Sequence, residues 1–356
     1  MGNEANGYRI GAAALRAFVG SAFEAAQSSP SEAAIIADHL VDANLAGHDS
    51  HGVIRVAKYL DWHSRDMVLA NQHARIERET ACNVVLDGQF GYGQVIGREA
   101  MDIGIRKARS AGLCAVSIRN AGHLGRIGAW AEQAANAGLA SIHFVNTSGF
   151  GILVAPHGGS DRRLSANPIG AGAPGPRNII LDISTSAIAE GKIQIARNRG
   201  ETLPPGCTID SEGRPNQDPA TFYGPPEGAL LPVGGHKGSG LSVFCEIFAG
   251  ALSGGGTTHP DNPTAKRLVN NMLSLVFDAD AFCGADAFRA EIARLAAWVR
   301  ASPPAVPGGQ VMLPGDIEAT TRERLLHEGI ALDPTTRAQI AASVRAVGVA
   351  LPEGFE

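Results

Sequence analysis

The chain reads as an α/β core flanked by a helical domain assembled from both ends. Three observations predict this. Short β-branched runs alternate with segments of helical apolar spacing through the middle of the sequence. The first 75 residues or so, and the stretch after residue 285, are helical without strands between them. The 44 glycines in 356 residues, about 12% against a usual ~7%, are dispersed without any collagen-like period and suit tight turns between alternating elements. The expected divisions are 1–75 for the first helical part, 76–284 for the α/β part, and 285–356 for the second helical part.

Taken in order, Ser29-Pro30-Ser31-Glu32 is a capping box with Pro at the first helical position, and the helix runs from Ala33 through Ala46 to a stop at Gly47. A third helix is expected from about Ser50, with Val53, Val56, Ala57 and Leu60 on one face. Ala74–Glu79 and Asn83–Leu86 read as strands before the turn at Asp87-Gly88. Helix Gln94–Ser110, strand Leu113–Ile118, helix Ile127–Ala137 and strand Ser141–Asn146 follow. A Gly/Pro-rich stretch precedes strand Ile179–Ile183 and a short helix from Ala187. Thr202–Pro232 is rich in Pro, Gly and Asp and reads as one long irregular loop. Helix Gly240–Leu252 and strand Met272–Phe277 come next. Helices Ala285–Arg300, Ile317–Glu328 and Pro334–Val347, the last capped by Asp333, close the chain.

Composition removes several function classes. With 30 Lys+Arg against 35 Asp+Glu the net charge is −5, which leaves no electrostatic footprint for nucleic acid. At 44% hydrophobic and 18% charged residues, the chain can bury a sizeable core. Five widely spaced cysteines form neither a disulfide framework nor a C-x-x-C metal motif. Met1–Asn6 carries no basic and apolar leader, and the most apolar run, Leu241–Ser253, contains Glu246 and is too short to cross a bilayer. A cytoplasmic protein without a membrane partner is expected. Asn146-Thr147-Ser148 matches a glycosylation sequon without a secretory context.

Gly170-Ala171-Gly172-Ala173-Pro174-Gly175 fits the dinucleotide fingerprint G-x-G-x-x-G, but Pro174 and Pro176 forbid the helix that the fingerprint must open. Two other glycine clusters do precede helices. Gly122–Gly128, with Arg126, and Gly235–Gly240, with Lys237, are each suited to offering free backbone N–H groups and a cation to phosphate. The densest polar cluster is Gly47-His48-Asp49-Ser50-His51-Gly52-Val53-Ile54-Arg55. His48 and His51 would share a face of a continuous helix, yet a zinc site needs further ligands, and none is assigned. Ser50, His51 and Arg55 can instead surround a small anion. Arg supplies a planar fork for a carboxylate, and His a proton near neutral pH. The plainer alternative is Ser50 as a helix N-cap with His and Arg in solvent. Asp182, near the end of a strand, suits either a working carboxylate or a cap.

As a set, the Gly47–Arg55 string, Asn120–Arg126, Asn167-Pro168-Ile169, Leu181–Lys192, Gly235–Leu241 and Leu313-Pro314-Gly315-Asp316 resemble the malate/L-lactate dehydrogenase family, in family order across nearly the whole chain. That family also includes sulfolactate and ureidoglycolate dehydrogenases and piperideine-2-carboxylate reductases. The resemblance implies a dinucleotide-binding α/β fold distinct from the Rossmann arrangement, a homodimer, and hydride transfer between NAD or NADP and a small 2-oxo or 2-hydroxy acid. It implies His51 as proton donor, Ser50 and Asp182 as the groups that orient and polarise it, and His123 as a rival for the acid/base role. Asp182, reached through Ser50, is then expected to raise the pKa of His51. Arg55 becomes the anchor of the substrate carboxylate, with Thr147 beside the substrate. The cofactor-contacting residues so implied are His123, Leu124, Gly125, Arg126, Ile127, Gly172, Ala173, Pro174, His236, Lys237, Pro314, Gly315 and Asp316. The alternatives are a cyclic imino-acid reductase using the same Arg55, a nucleotide-binding regulator without turnover, and a metal-dependent hydrolase using His48 and His51.

Overall fold

A computed structural model describes residues 8–262, 264 and 267–356. The stretch Met1–Asn6, inspected above for a leader, lies outside them. Among the described residues no helix is long and apolar enough to cross a membrane.

The two ends of the chain meet. Strand β1 (Arg9–Ile10) pairs antiparallel with β12 (Ile330–Ala331), Ile10 opposite Ile330. Helices α1 (Ala12–Ala25), α2 (Pro30–Leu45) and α3 (Arg55–Ser64) share one hydrophobic core with α11 (Pro334–Ala346). Leu15, Phe23, Ile36 and Leu40 meet Ile340, Val344 and Phe355 there, all buried. Between these ends, α9 (Ala285–Arg300) contributes nothing to that core and buries only Ile292.

Local signals set the boundaries of α2. Ser29 Oγ accepts the Glu32 N–H and Pro30 opens the helix. Glu32, however, does not close the expected box. Its carboxylate accepts the Asn71 N–H at 2.9 Å and the Ser28 hydroxyl at 2.7 Å, tying the helix start to a distant loop. Gly47 lies at φ +79° beyond the helix end, the left-handed position where glycine costs least.

The central seven-stranded sheet has the order β2-β3-β4-β11-β5-β6-β7: Arg75–Glu79, Asn83–Asp87, Leu113–Ala121, Leu268–Phe277, Ala140–Gly149, Ile169–Ala173 and Ile179–Ile183. Only β3 and β4 run parallel, joined by the crossover helix α4 (Gly93–Ala111); the other pairings are antiparallel. Helix α5 (Gly128–Asn136) packs beside α4, and both helices bury Ile96, Met101, Trp130 and Ala134 against Val84, Val116, Val145 and Met272 of the sheet. The sheet is therefore mixed and mainly antiparallel.

Several elements differ from expectation. Strands β5 and β11 are longer than their apolar runs, because Asn146, Ser148, Asn270 and Asn271 are buried in the sheet as hydrogen-bonded polar residues. The residues Gly170 and Gly172 stand inside β6. A Cβ on Gly170 would meet Ile127 Cγ2 at 3.0 Å, and one on Gly172 would meet the Ala131 carbonyl at 2.7 Å. These glycines let α5 lie close on the sheet. The region 202–232, expected as irregular loop, holds β8 (Thr208–Ile209), β9 (Pro215–Asn216), α7 (Pro219–Tyr223) and β10 (Ala229–Leu230), packed with α6 (Glu190–Arg199) around Phe222, Leu230 and Ile193. Helix α8 (His236–Cys245) starts four residues earlier than expected and continues as a π-helical turn, Glu246–Ala251. The last helix before α11 is α10 (Asp316–Glu328).

Candidate active site

The Gly47–Arg55 string is not a continuous helix. Asp49–His51 forms a single 3-10 turn, Gly52 is extended, and α3 begins only at Arg55. The reason lies in α2. Buried Asn44 donates to Asp49 Oδ1 at 2.6 Å and accepts the Val53 N–H at 2.8 Å, so its side chain bridges both arms of the turn. A Cβ on Gly52 would lie 2.2 Å from Asn44 Oδ1, which accounts for the glycine. The break separates His48 from His51: His48 Nε2 faces Glu318 on α10 at 3.3 Å. Ser50 is not a helix cap. Its hydroxyl bonds His51 Nδ1 at 2.9 Å, and its carbonyl accepts Arg55 Nε at 2.6 Å.

That last bond orients Arg55. With Nε held by Ser50, the two terminal nitrogens form the fork, and they have no ion-pair partner among the described residues. His51 stacks on His123, ring centroids 5.5 Å apart. His123 comes from the turn between β4 and α5, so that turn and the one between α2 and α3 each supply one ring. Tyr59, one helical turn beyond Arg55, lies 2.6 Å from His123 Nδ1, while Gln94 donates to the Tyr59 oxygen at 3.0 Å and to the His123 carbonyl at 3.0 Å. With Gln94 donating to the phenol oxygen, Tyr59 keeps its own proton for Nδ1, leaving the proton of His123 on Nε2. Burial, then Arg55, holds the pKa of His51 down at about 3. The same causes in the same order hold that of His123 well below its ordinary value. Both rings are neutral in the free protein.

Asp182 stands elsewhere than expected. Its Oδ2 accepts the Gly128 N–H at 2.9 Å, capping α5, and no hydrogen bond among the described residues joins it to Ser50 or His51. Burial raises its pKa, against Arg126 and the Gly128 N–H. The expected lift of the His51 pKa through Ser50 is replaced by a depression, caused first by burial and then by the charge of Arg55.

Each glycine turn already uses several of its backbone N–H groups within the fold. The N–H groups of Leu124, Arg126 and Gly128 go to Asn270, His39 and Asp182; those of Ala129 and Trp130 go to carbonyls. At α8 the N–H groups of Lys237, Gly238 and Ser239 are bonded to the Gly234, Val233 and Gly235 carbonyls. Arg126 is 2% exposed and pairs with Glu132 at 2.5 Å, so it is no surface cation, yet its Nε and Nη1 remain buried without partners. Of the other predicted cofactor residues, Leu124, Gly125, Ile127, Gly172 and Pro174 are buried, Ala173 is half-buried, and His236 and Lys237 are exposed at the start of α8. Pro314 accepts the Ile180 N–H and so lies on the edge of β7. Gly315 is left-handed at φ +95°, and Asp316 braces that turn by accepting from Leu313 N and Arg300. Thr147 lies within β5. Its hydroxyl and the Leu124 N–H bond the same side chain, Asn270, at 2.9 Å each, which places Thr147 one residue's width from the His123 turn.

The malate/L-lactate dehydrogenase family profile matches residues 10–341. The chain belongs to the malate/L-lactate dehydrogenase family. It is 40% identical over 348 residues to hydroxycarboxylate dehydrogenase B of Escherichia coli, covering 97% of this chain and 96% of that one. It is 33% identical over 311 residues, 86% and 87% of the two chains, to a Delta(1)-pyrroline-2-carboxylate/Delta(1)-piperideine-2-carboxylate reductase of Pseudomonas syringae pv. tomato. The solved structure of a putative malate/lactate dehydrogenase from E. coli superposes with a TM-score of 0.90 at 40% identity, over 98% of this chain and 97% of that one.

Sequence reasoning passed over Asn44, Tyr59, Gln94 and Asn270. Each acts by holding a functional residue in place; the plainest signal is left by Asn270, which with Asn271 interrupts an otherwise apolar run.

Proposed function

We propose that this member of the family transfers hydride between NAD or NADP and a small 2-oxo or 2-hydroxy carboxylic acid. The observation that carries the reading is the stacked, neutral His51–His123 pair beside an Arg55 fork already oriented by Ser50. In this reading Arg55 takes the substrate carboxylate through two parallel N–H bonds and sets the 2-oxo carbon in place. Docking that carboxylate offsets the Arg55 charge, the second cause of the His51 depression after burial, and so favours a proton on His51 in the complex. His51, oriented by the Ser50 hydroxyl, delivers that proton to the developing alkoxide. His123, its tautomer set by Tyr59, donates from Nε2 to the same oxygen. General acid help of this kind is worth about 10²–10⁴-fold in rate.

The residues present fit a nicotinamide dinucleotide. Two unpartnered donors of buried Arg126, the exposed His236 and Lys237, and the Gly172–Pro174 and Pro314–Asp316 segments are the groups that would hold it. When bound, the cofactor supplies the hydride. The alignment of β6 and β7 with α5 serves here as a dinucleotide frame other than the Rossmann type, with helices from both termini as a second domain. A cytoplasmic homodimer completes the proposal.

The test is oxidation of NADH and NADPH with pyruvate, oxaloacetate, sulfopyruvate, 2,3-diketogulonate and piperideine-2-carboxylate, with the hydroxy acids, ureidoglycolate included, in reverse. Turnover of a 2-oxo acid is expected. Turnover of the cyclic imine alone transfers the reading to an imino-acid reductase, which the Pseudomonas relative's name favours. Absence of both turnover and cofactor binding refutes it.

A further inference from the structure

Glu246 stands behind the sheet, 6% exposed, at the first residue of the π-helical turn. No cation pairs with it among the described residues. Its three partners are neutral donors: Asn167 Nδ2 on Oε1 at 2.7 Å, with Asn146 Nδ2 at 2.9 Å and Thr258 N–H at 3.0 Å on Oε2. A buried carboxylate held only by neutral groups is costly, and a glutamine of the same shape would avoid the charge. What glutamine lacks is the ability to accept at both ends.

We propose that Glu246 is a positioning residue whose carboxylate orients a chain of asparagine amides, which in turn holds Thr147 and the Asn120–Leu124 turn on either side of the reacting centre. The connectivity follows from donor and acceptor chemistry. Because both faces of Glu246 only accept, Asn167 and Asn146 present their NH₂ groups to it, as they also do to the Ser242 and Gly256 carbonyls, and turn their own carbonyl oxygens away. Asn167 Oδ1 then accepts the Thr147 N–H at 3.3 Å. Asn146 Oδ1 accepts from Asn271 Nδ2 at 2.9 Å, which aims Asn271 Oδ1 at the Asn120 N–H, 3.1 Å away. Asn270 donates to the Asn146 carbonyl at 3.2 Å and to Thr147 Oγ1 at 2.9 Å, and accepts the Leu124 N–H at 2.9 Å.

The fold makes room for this chain. A Cβ on Gly250 would lie 2.6 Å from Asn146 Nδ2, and one on Gly255 would lie 2.0 Å from Asn271 Oδ1. Asn120 and Asn167 both occupy left-handed backbone, at φ +55° and +33°. Burial raises the pKa of Glu246, opposed by its three donors. An amide in place of the carboxylate would put N–H against N–H at one asparagine, and flipping that asparagine would break the bond to Thr147 or to Asn271.

Hydrogen–deuterium exchange on Glu246→Gln and Glu246→Asp tests the proposal without relying on the assigned reaction. Expected for E246Q is at least tenfold faster exchange at the Asn120 and Thr147 amides, with α4 as protected as in the wild type. E246D, which keeps an acceptor-only group, should recover part of that protection. Unchanged exchange at both segments, or loss spread evenly over the sheet, overturns the proposal. Should E246Q not fold, Asn146→Ala, which leaves Asn271 as the direct acceptor of the Asn120 amide, must speed exchange at Asn120 in its place; unchanged exchange there overturns the proposal. A kinetic arm rests on the function proposed above: E246Q should raise the KM for the 2-oxo acid at least fivefold with cofactor Kd within twofold. A wild type inactive on every acid would sink that reading and leave the exchange result standing.

Discussion

His143 offers the cleanest measurement of what burial does to charge in this protein. It sits in β5, 0% exposed, with Nε2 on the Ser141 hydroxyl at 2.9 Å and Nδ1 on the Ser274 hydroxyl at 2.8 Å. Hydroxyls can accept from either nitrogen, so hydrogen bonding does not forbid the imidazolium; burial alone pushes the pKa down to about 3. In the unfolded chain it returns to about 6.5. The unfolded state therefore binds the proton first, and the stability that the neutral ring provides is complete above pH 6.5. It is lost progressively as the pH falls towards 3. Between pH 7.5 and pH 5 this one residue should remove about 2 kcal/mol of stability. Other groups titrate over the same range, so the perturbation is the difference between wild type and His143→Gln. Equilibrium urea unfolding, followed by tryptophan fluorescence, should show the stability gap between the two shrinking by about 2 kcal/mol from pH 7.5 to pH 5. A gap constant to within about 0.5 kcal/mol would refute the reasoning.

Four further outcomes are expected. Arg55→Lys keeps the charge but loses both the fork and the bond to the Ser50 carbonyl, so KM for the acid should rise about tenfold or more in steady-state assays, with cofactor Kd unchanged. Tyr59→Phe leaves the buried Nδ1 of His123 without its donor; stability should fall by about 1–3 kcal/mol, and kcat at least tenfold, whereas an unchanged kcat would remove His123 from the chemistry. Gly172→Ala drives a methyl against the Ala131 carbonyl at 2.7 Å and should cost about 1–3 kcal/mol by thermal melting. Gly20→Ala, in α1 with no atom within 4 Å of the new methyl, should instead stabilise by about 0.5–1 kcal/mol.

Much of this protein was legible before its coordinates. The helix starts at Pro30 and Pro334, the strand Ile179–Ile183, the helix Ala285–Arg300 and the stop at Gly47 are written in local chemistry: caps, periodicity and a left-handed glycine. The same local rules failed where a residue's partner lies far along the chain. Asn270 and Asn271 look like the end of a strand until Asn146 and Leu124, more than 120 residues away, supply their hydrogen bonds. Glu32 looks like half of a capping box until Asn71 reaches it.

The site divides the same way. The residue types that bind a carboxylate and move a proton, Arg55, Ser50, His51 and His123, are visible as a string and a motif because their chemistry is intrinsic to each side chain. Their roles are not. Asn44 breaks the helix that would have carried His51 and Arg55 on one face. Asp182 caps α5 in place of reaching Ser50, and the Arg126 guanidinium is buried against Glu132. Electrostatic character depends on burial and on the nearest charge, and both are products of packing. Sequence alone determined which chemical groups this protein possesses; only the tertiary structure decided that its two facing histidines are neutral and that Arg55 is free to meet a carboxylate.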